Sequence, residues 1–102
     1  MHVGMSTFFQ NLAGHTDEEV YRHELGMANR AESMGFESIW AAEHHFSGYT
    51  MCPNVGQFLT YMAGRTNHAL LGSMVMVLPW HHPVRVAEEL SEIGRASCRE
   101  RG

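Results

Sequence analysis

The sequence contains no lysine, and arginine supplies all seven of its basic residues. With a formal net charge of −4, the charge balance argues against a surface for nucleic acid or an anionic membrane. Two cysteines, Cys52 and Cys98, are too few for a disulfide framework. No apolar run reaches the roughly 18 residues of a membrane-spanning helix, and the first residues lack the pattern of a signal peptide. We therefore expect a protein of the cytoplasm.

The length of 102 residues leaves room for one small domain. Hydrophobic residues make up 44% and charged residues 18% of the chain, which is typical of a globular protein rather than a disordered one. Residues 94–101 (GRASCRER) resemble a sequencing adapter translated in frame. We therefore expect residues 1–92 to form the domain and residues 93–102 to be a non-native tail. A natural arginine-rich tail is the alternative.

Residues 1–35 have the pattern of a strand followed by a helix. Apolar and polar residues alternate over residues 2–7, which predicts the first strand. The run from Thr16 to Glu19 is a capping box that begins a helix, and Gly35 is placed to end it. Four residues at helical offsets predict a buried stripe on that helix: Val20, Met27, Ala31 and Met34.

The same pattern occurs twice more. Residues 38–42 predict a second strand, and Asn54 can cap a second helix that ends at Gly64. The buried stripe of that helix is predicted from Val55, Phe58, Leu59, Met62 and Ala63. Residues 69–78 are nearly all apolar without alternation, which predicts a third strand buried on both faces of a parallel sheet. Pro83 then suits the first turn of a third helix.

Strands that alternate with helices indicate a series of right-handed βαβ units. Both a doubly wound sheet and part of a (β/α)₈ barrel fit this order. No glycine-rich nucleotide-binding sequence follows the first strand, which weakens the first option. Residues 43–46 (EHHF) follow strand two and residues 80–82 (WHH) follow strand three. Because barrel enzymes place their active sites in such strand-to-helix loops, this placement favours the barrel.

Three segments, considered together, carry a specific resemblance. They are residues 38–46 (SIWAAEHHF), 72–79 (GSMVMVLP) and 82–85 (HPVR). Over residues 1–92 the chain resembles the luciferase-like monooxygenases, in order and spacing. The resemblance implies an α/β fold consisting of the first three βα units of a (β/α)₈ TIM-type barrel. It also implies that the chain is a fragment, inactive by itself.

The resemblance further implies a cofactor and partners for the complete protein. The family uses reduced FMN, supplied by a separate flavin reductase, and O₂, which adds at the flavin C4a position to give a peroxyflavin that oxygenates a small organic substrate. The deazaflavin F420 is the alternative cofactor, and a dimer is expected. A non-catalytic flavin-binding barrel and a small βα interaction module are the alternative functions.

Residue roles follow from matching positions. His44 corresponds to the family's catalytic histidine beside the flavin, where an imidazole can act as a general base. Ser73, Met74 and Val75 correspond to the segment against the flavin ring, with a cis peptide implied between Met74 and Val75. The resemblance does not extend a catalytic role to His45.

Other reactive side chains carry weaker signals. Glu43, His44, His45, Cys52, His81 and His82 could converge on one face. Neighbouring histidines on an extended chain point in different directions, however, and no zinc-binding spacing is present, so we predict no metal site. Cys52 is expected to be a passive buried residue. Trp80 is the aromatic residue expected to line a ligand pocket.

Overall fold

The computed structural model describes residues 1–97, so residues 98–102 of the predicted tail, Cys98 among them, lie outside the described residues. The elements alternate between strands and helices along the chain. They are β1 (Gly4–Thr7), α1 (Asp17–Ala31), β2 (Ser38–Ala41), α2 (Val55–Ala63), β3 (Leu70–Ser73) and α3 (Pro83–Ser97), with a 3₁₀ turn at Leu78–Trp80. No helix within this part of the chain is long and apolar enough to span a membrane.

The three strands form one parallel sheet in the order β1-β2-β3. The register aligns Ser6 with Trp40, and Trp40 with Gly72. Sequential neighbours joined through helices are the arrangement expected of βαβ units. The predicted α/β class and parallel strand order are therefore confirmed.

Local capping interactions set the beginnings of α1 and α2. The Thr16 hydroxyl accepts from the Glu19 amide at 3.1 Å, while the Glu19 carboxylate accepts from the Thr16 amide at 2.8 Å. At α2, Asn54 Oδ1 accepts from the Gln57 amide at 3.0 Å. Gly35 has the left-handed conformation expected of it, with φ of 99°, although α1 itself ends at Ala31.

The core lies between the sheet and the helices. The predicted stripe of α2 is confirmed at Val55, Phe58, Leu59 and Met62, which are all buried. The stripe of α1 was partly wrong, because Met27 and Met34 are exposed while Ala28 and Ala31 are buried. Met34 lies in the turn after α1 and is 63% exposed, and the small alanines allow the helix to pack closely against the core.

The third strand is shorter and less buried than its apolar sequence predicts. β3 ends at Ser73, and residues 74–77 continue as a loop into the 3₁₀ turn. Leu70 is 51% exposed, which contradicts burial on both faces. The physical reason is that β3 lies at the edge of the sheet within residues 1–97, where β2 is its one partner. Apolar composition alone did not distinguish a strand from an apolar loop.

Helix α3 begins at Pro83, as predicted, and continues to Ser97. Ile93 is partly buried against the core. The expected boundary at residue 93 therefore coincides with no change in secondary structure. The non-native origin of residues 93–102 stays a prediction.

Candidate functional site

The chain segments that follow β2 and β3 meet at the carboxyl edge of the sheet. The Met74 amide donates to the carbonyl of Ala41 at 2.8 Å, and the Glu43 amide donates to the carbonyl of Val75 at 3.3 Å. The two loops that sequence analysis selected are thus joined directly through their backbones. This is the edge at which barrel enzymes carry out their chemistry.

A buried carboxylate lies at the centre of this junction. The side chain of Glu43 is 0% exposed. Its Oε1 accepts from the Val77 amide at 3.0 Å and lies 3.0 Å from Nε2 of His81. Its Oε2 is hydrogen bonded to Nε2 of His45. Sequence reasoning considered Glu43 only as a metal ligand and missed this role, because the partners lie up to 38 residues away.

The hydrogen bonds keep the Glu43 carboxylate charged. Burial raises the pKa of Glu43, but the hydrogen bonds from His45, His81 and the Val77 amide outweigh it, so the net pKa lies below its ordinary value. An ionised carboxylate only accepts hydrogen bonds. Both imidazoles must therefore donate from Nε2. A buried charge requires such donors, since its desolvation is otherwise costly.

His44 lies outside this network. Its side chain is exposed, whereas Glu43 is buried and His45 is half-buried. Successive side chains of an extended chain point to opposite sides, which explains the alternation. The His44 amide donates to the carbonyl of Cys52 at 3.1 Å, so its backbone is held while its ring is free to meet a ligand.

The segment expected to lie against a flavin begins at the last residue of β3. The peptide bond between Met74 and Val75 is cis, as the resemblance implied. Ser73 and Met74 are half-buried, and Val75 is 64% exposed. The Ser6 hydroxyl lies 3.8 Å from the Met74 sulfur. The segment therefore presents an accessible, largely apolar surface next to the loop that carries His44.

Aromatic rings extend the site toward solvent. The rings of His45 and Trp80 are stacked, with centroids 4.7 Å apart. Phe46 is 95% exposed, has φ of 54°, and lies 6.0 Å from the Trp80 ring. Trp80 is also exposed, so within residues 1–97 it lies on an open surface.

The remaining candidates fit less reactive roles. Burial, together with the nearby Glu43 charge, raises the pKa of the Cys52 thiol to about 11. A thiol with that pKa is protonated at neutral pH and is a poor nucleophile. Among residues 1–97, no group of three or more histidine, cysteine or acidic side chains is arranged to hold a metal ion.

Comparison with known proteins shows which family the chain resembles. Residues 1–97 match a family described as luciferase-like monooxygenase. The chain is 31% identical over 74 residues to the oxygenase component of flavin-dependent trigonelline monooxygenase from Acinetobacter baylyi, covering 72% of this chain and 21% of that protein. It is 32% identical over 79 residues to the alkanal monooxygenase alpha chain of Photorhabdus luminescens, covering 78% and 22%. It is 35% identical over 80 residues to limonene 1,2-monooxygenase of Rhodococcus erythropolis, covering 78% and 19%. The chain thus spans about a fifth of the length of these curated relatives.

Solved structures share the fold. Apo-MsnO8 superimposes with a TM-score of 0.85 at 23% identity, covering 94% of this chain and 29% of that one. The oxygenating constituent of 3,6-diketocamphane monooxygenase from Pseudomonas putida, a type II Baeyer–Villiger enzyme in complex with FMN, superimposes with a TM-score of 0.82 at 21% identity. This superposition covers 93% of this chain and 26% of the chain of that enzyme.

Proposed function

We propose that the full-length protein carrying this chain is a flavin-dependent monooxygenase, because the chain belongs to the family of luciferase-like monooxygenases. The supporting observation is that sequence relatives over this same segment are oxygenases of chemically different small molecules. One atom of O₂ would enter a small organic substrate and the other would leave as water. A bound reduced flavin would supply the two electrons that this stoichiometry requires.

The residues of this chain fit a flavin at the carboxyl edge. The ring system of a flavin is flat and largely apolar, and the accessible side chains of Met74 and Val75 offer it an apolar surface beside β3. Ser73 adds a hydroxyl at the same place. We assign cofactor binding to these three residues.

We assign proton transfer to His44. His44 is exposed, it directly follows the buried Glu43, and its amide donates to the carbonyl of Cys52, which supports a ring that is accessible to a ligand at this edge. An imidazole can accept a proton at one ring nitrogen and return it. In this role Nδ1 or Nε2 would take a proton from the reacting group and release it to solvent.

We further propose that the flavin is FMN, supplied in its reduced form by a separate reductase. The name of the trigonelline relative describes an oxygenase component, which supports a two-component system. F420 is the competing cofactor. In anaerobic titrations of the full-length protein, we expect tight binding of reduced FMN and no comparable binding of reduced F420.

The activity is tested in a single turnover. The full-length protein is mixed with preformed reduced FMN, O₂ and a panel of small organic substrates, which separates chemistry from reductase supply. We expect an oxygenated product that carries one ¹⁸O atom from ¹⁸O₂. Binding of reduced FMN without product from any substrate would instead favour the non-catalytic flavin-binding alternative. Failure to bind either cofactor would refute the proposal.

A further inference from the structure

Glu43 holds the loop after β3 at two points. Its amide donates to the carbonyl of Val75 at 3.3 Å, and its carboxylate accepts from the amide of Val77 at 3.0 Å. Together with the hydrogen bond from the Met74 amide to Ala41, these contacts fix the backbone from 74 to 77 against the end of β2. This stretch includes two of the three residues assigned above to the flavin.

The same carboxylate collects donors from both loops. His45 reaches it from the loop after β2, and His81 reaches it from the loop after β3. With the Val77 amide, three donors converge on one buried group that has no exposed surface. Charge-assisted hydrogen bonds of this kind are stronger and more directional than neutral ones. The carboxylate therefore acts as a common acceptor that sets the relative position of the two loops.

We propose that Glu43 is a positioning residue of the flavin site: its buried carboxylate, through His45, His81 and the Val77 amide, holds the flavin-facing segment in register with the loop that carries His44. This inference rests on the proposed function. Glu43 touches no reacting atom in this scheme. It acts on cofactor affinity through the backbone of residues 74–77, whereas His44 acts on the chemical step.

Two substitutions of Glu43 remove its hydrogen-bond acceptors to different extents. Glu43→Gln keeps the length of the side chain and one carbonyl acceptor for the Val77 amide, but loses the charge and one acceptor oxygen. Glu43→Ala removes the acceptor completely. We expect the Kd for reduced FMN in the full-length protein to rise at least tenfold in Glu43→Ala and by a smaller factor in Glu43→Gln. The single-turnover rate at saturating reduced FMN should fall in both variants by a smaller factor than the Kd rises, because the Glu43 carboxylate does not touch the reacting atoms.

The control is Glu18→Gln, which removes an exposed carboxylate of α1 that lies 3.5 Å from the Arg22 guanidinium. Its Kd for reduced FMN should equal that of the unmodified protein. All measurements are made well below the midpoint of thermal unfolding of each variant, so that a general loss of stability does not alter the Kd. If Glu43→Ala does not fold, His81→Gln provides the test. This substitution weakens one hydrogen bond to Glu43 at a half-buried position, and we expect the Kd for reduced FMN to rise about threefold.

Three outcomes are distinct. A Kd that rises by a larger factor than the rate falls supports the positioning role, and a rate that falls by the larger factor overturns it. An unchanged Kd in the folded Glu43→Gln and His81→Gln proteins overturns that role and leaves the proposed function standing. If the unmodified full-length protein binds neither reduced FMN nor reduced F420, the proposed function fails and this inference fails with it.

Discussion

The imidazole of His45 lies over the indole of Trp80, with ring centroids 4.7 Å apart and planes inclined by 21°. This stack joins the loop after β2 to the 3₁₀ turn after β3, alongside the hydrogen bonds at Glu43. The residues on both sides of His44 are therefore attached to the opposite loop. His44 is held between two anchored neighbours while its own ring remains exposed.

His44→Ala in the full-length protein should lower the single-turnover rate by at least about a hundredfold, because general-base catalysis typically contributes ~10²–10⁴ in rate. Binding of reduced flavin should change little, and added imidazole should restore part of the rate by occupying the space that the ring leaves. His23→Ala, at an exposed position on α1, is the matched control and should behave like the unmodified protein. A His44→Ala protein with the parental rate would reduce His44 to a loop residue.

Gly72→Ala should destabilise the full-length protein by about 1–3 kcal/mol, the usual cost of overpacking. A Cβ at Gly72 would overlap the six-membered ring of Trp40, which covers this position from the neighbouring strand. Gly26→Ala is the matched control, since a Cβ there meets nothing and the residue lies within α1. It should stabilise the protein by up to about 1 kcal/mol. Urea unfolding measures the free energy of unfolding of both variants, and an equal change in the two would contradict the packing argument.

Glu32→Gln should cost about 1.5–3 kcal/mol at neutral pH, the range for hydrogen bonds to a charged group. The Glu32 carboxylate accepts from three consecutive amides, those of Asn67 at 3.0 Å, His68 at 2.6 Å and Ala69 at 2.7 Å. Burial raises the pKa of Glu32, but these hydrogen bonds outweigh it and the net pKa is lowered.

The sign of the pH dependence follows from that direction. A carboxyl group whose pKa is lowered by folding stabilises the protein above its unfolded pKa, and this contribution is lost as the pH falls through its folded pKa. The difference in unfolding free energy between the parent and Glu32→Gln should therefore shrink in acid. Glu88→Gln, which removes an exposed partner of Arg85, should cost at most about 1 kcal/mol. If Glu32→Gln lowered the free energy of unfolding by the same amount at neutral and acid pH, the lowered pKa of Glu32 would be contradicted.

The 102-residue chain expressed alone should be insoluble or molten and should bind reduced FMN poorly. β3 is an edge strand of the three-stranded sheet, and its first residue, Leu70, is half exposed. Exposed strand edges with apolar side chains promote aggregation. Dye binding to exposed apolar surface and the cooperativity of thermal unfolding test this. A soluble monomer with cooperative unfolding and micromolar affinity for reduced FMN would refute it.

The sequence by itself determined the features that depend on neighbours along the chain. The capping box at Thr16, the Asn54 cap and the buried stripe of α2 involve residues three or four positions apart, so their interactions form wherever the helix forms. The parallel orientation of the strands also follows from the connections, because a helix between two strands returns the chain to the edge of the sheet at which the first strand began.

The tertiary structure decided the features that join distant parts of the chain. Glu43 and His81 are 38 residues apart, and only the approach of two loops makes one the partner of the other. The difference between exposed His44 and half-buried His45 likewise depends on which side of the loop faces that carboxylate. The sequence shows which polar side chains need a hydrogen-bond partner if they are buried. Which residue becomes that partner depends on how the backbone places the two loops. The extent of β3 was decided in the same way, since residues 74–77 have the composition of a strand but bind the end of β2 and Glu43 as a loop.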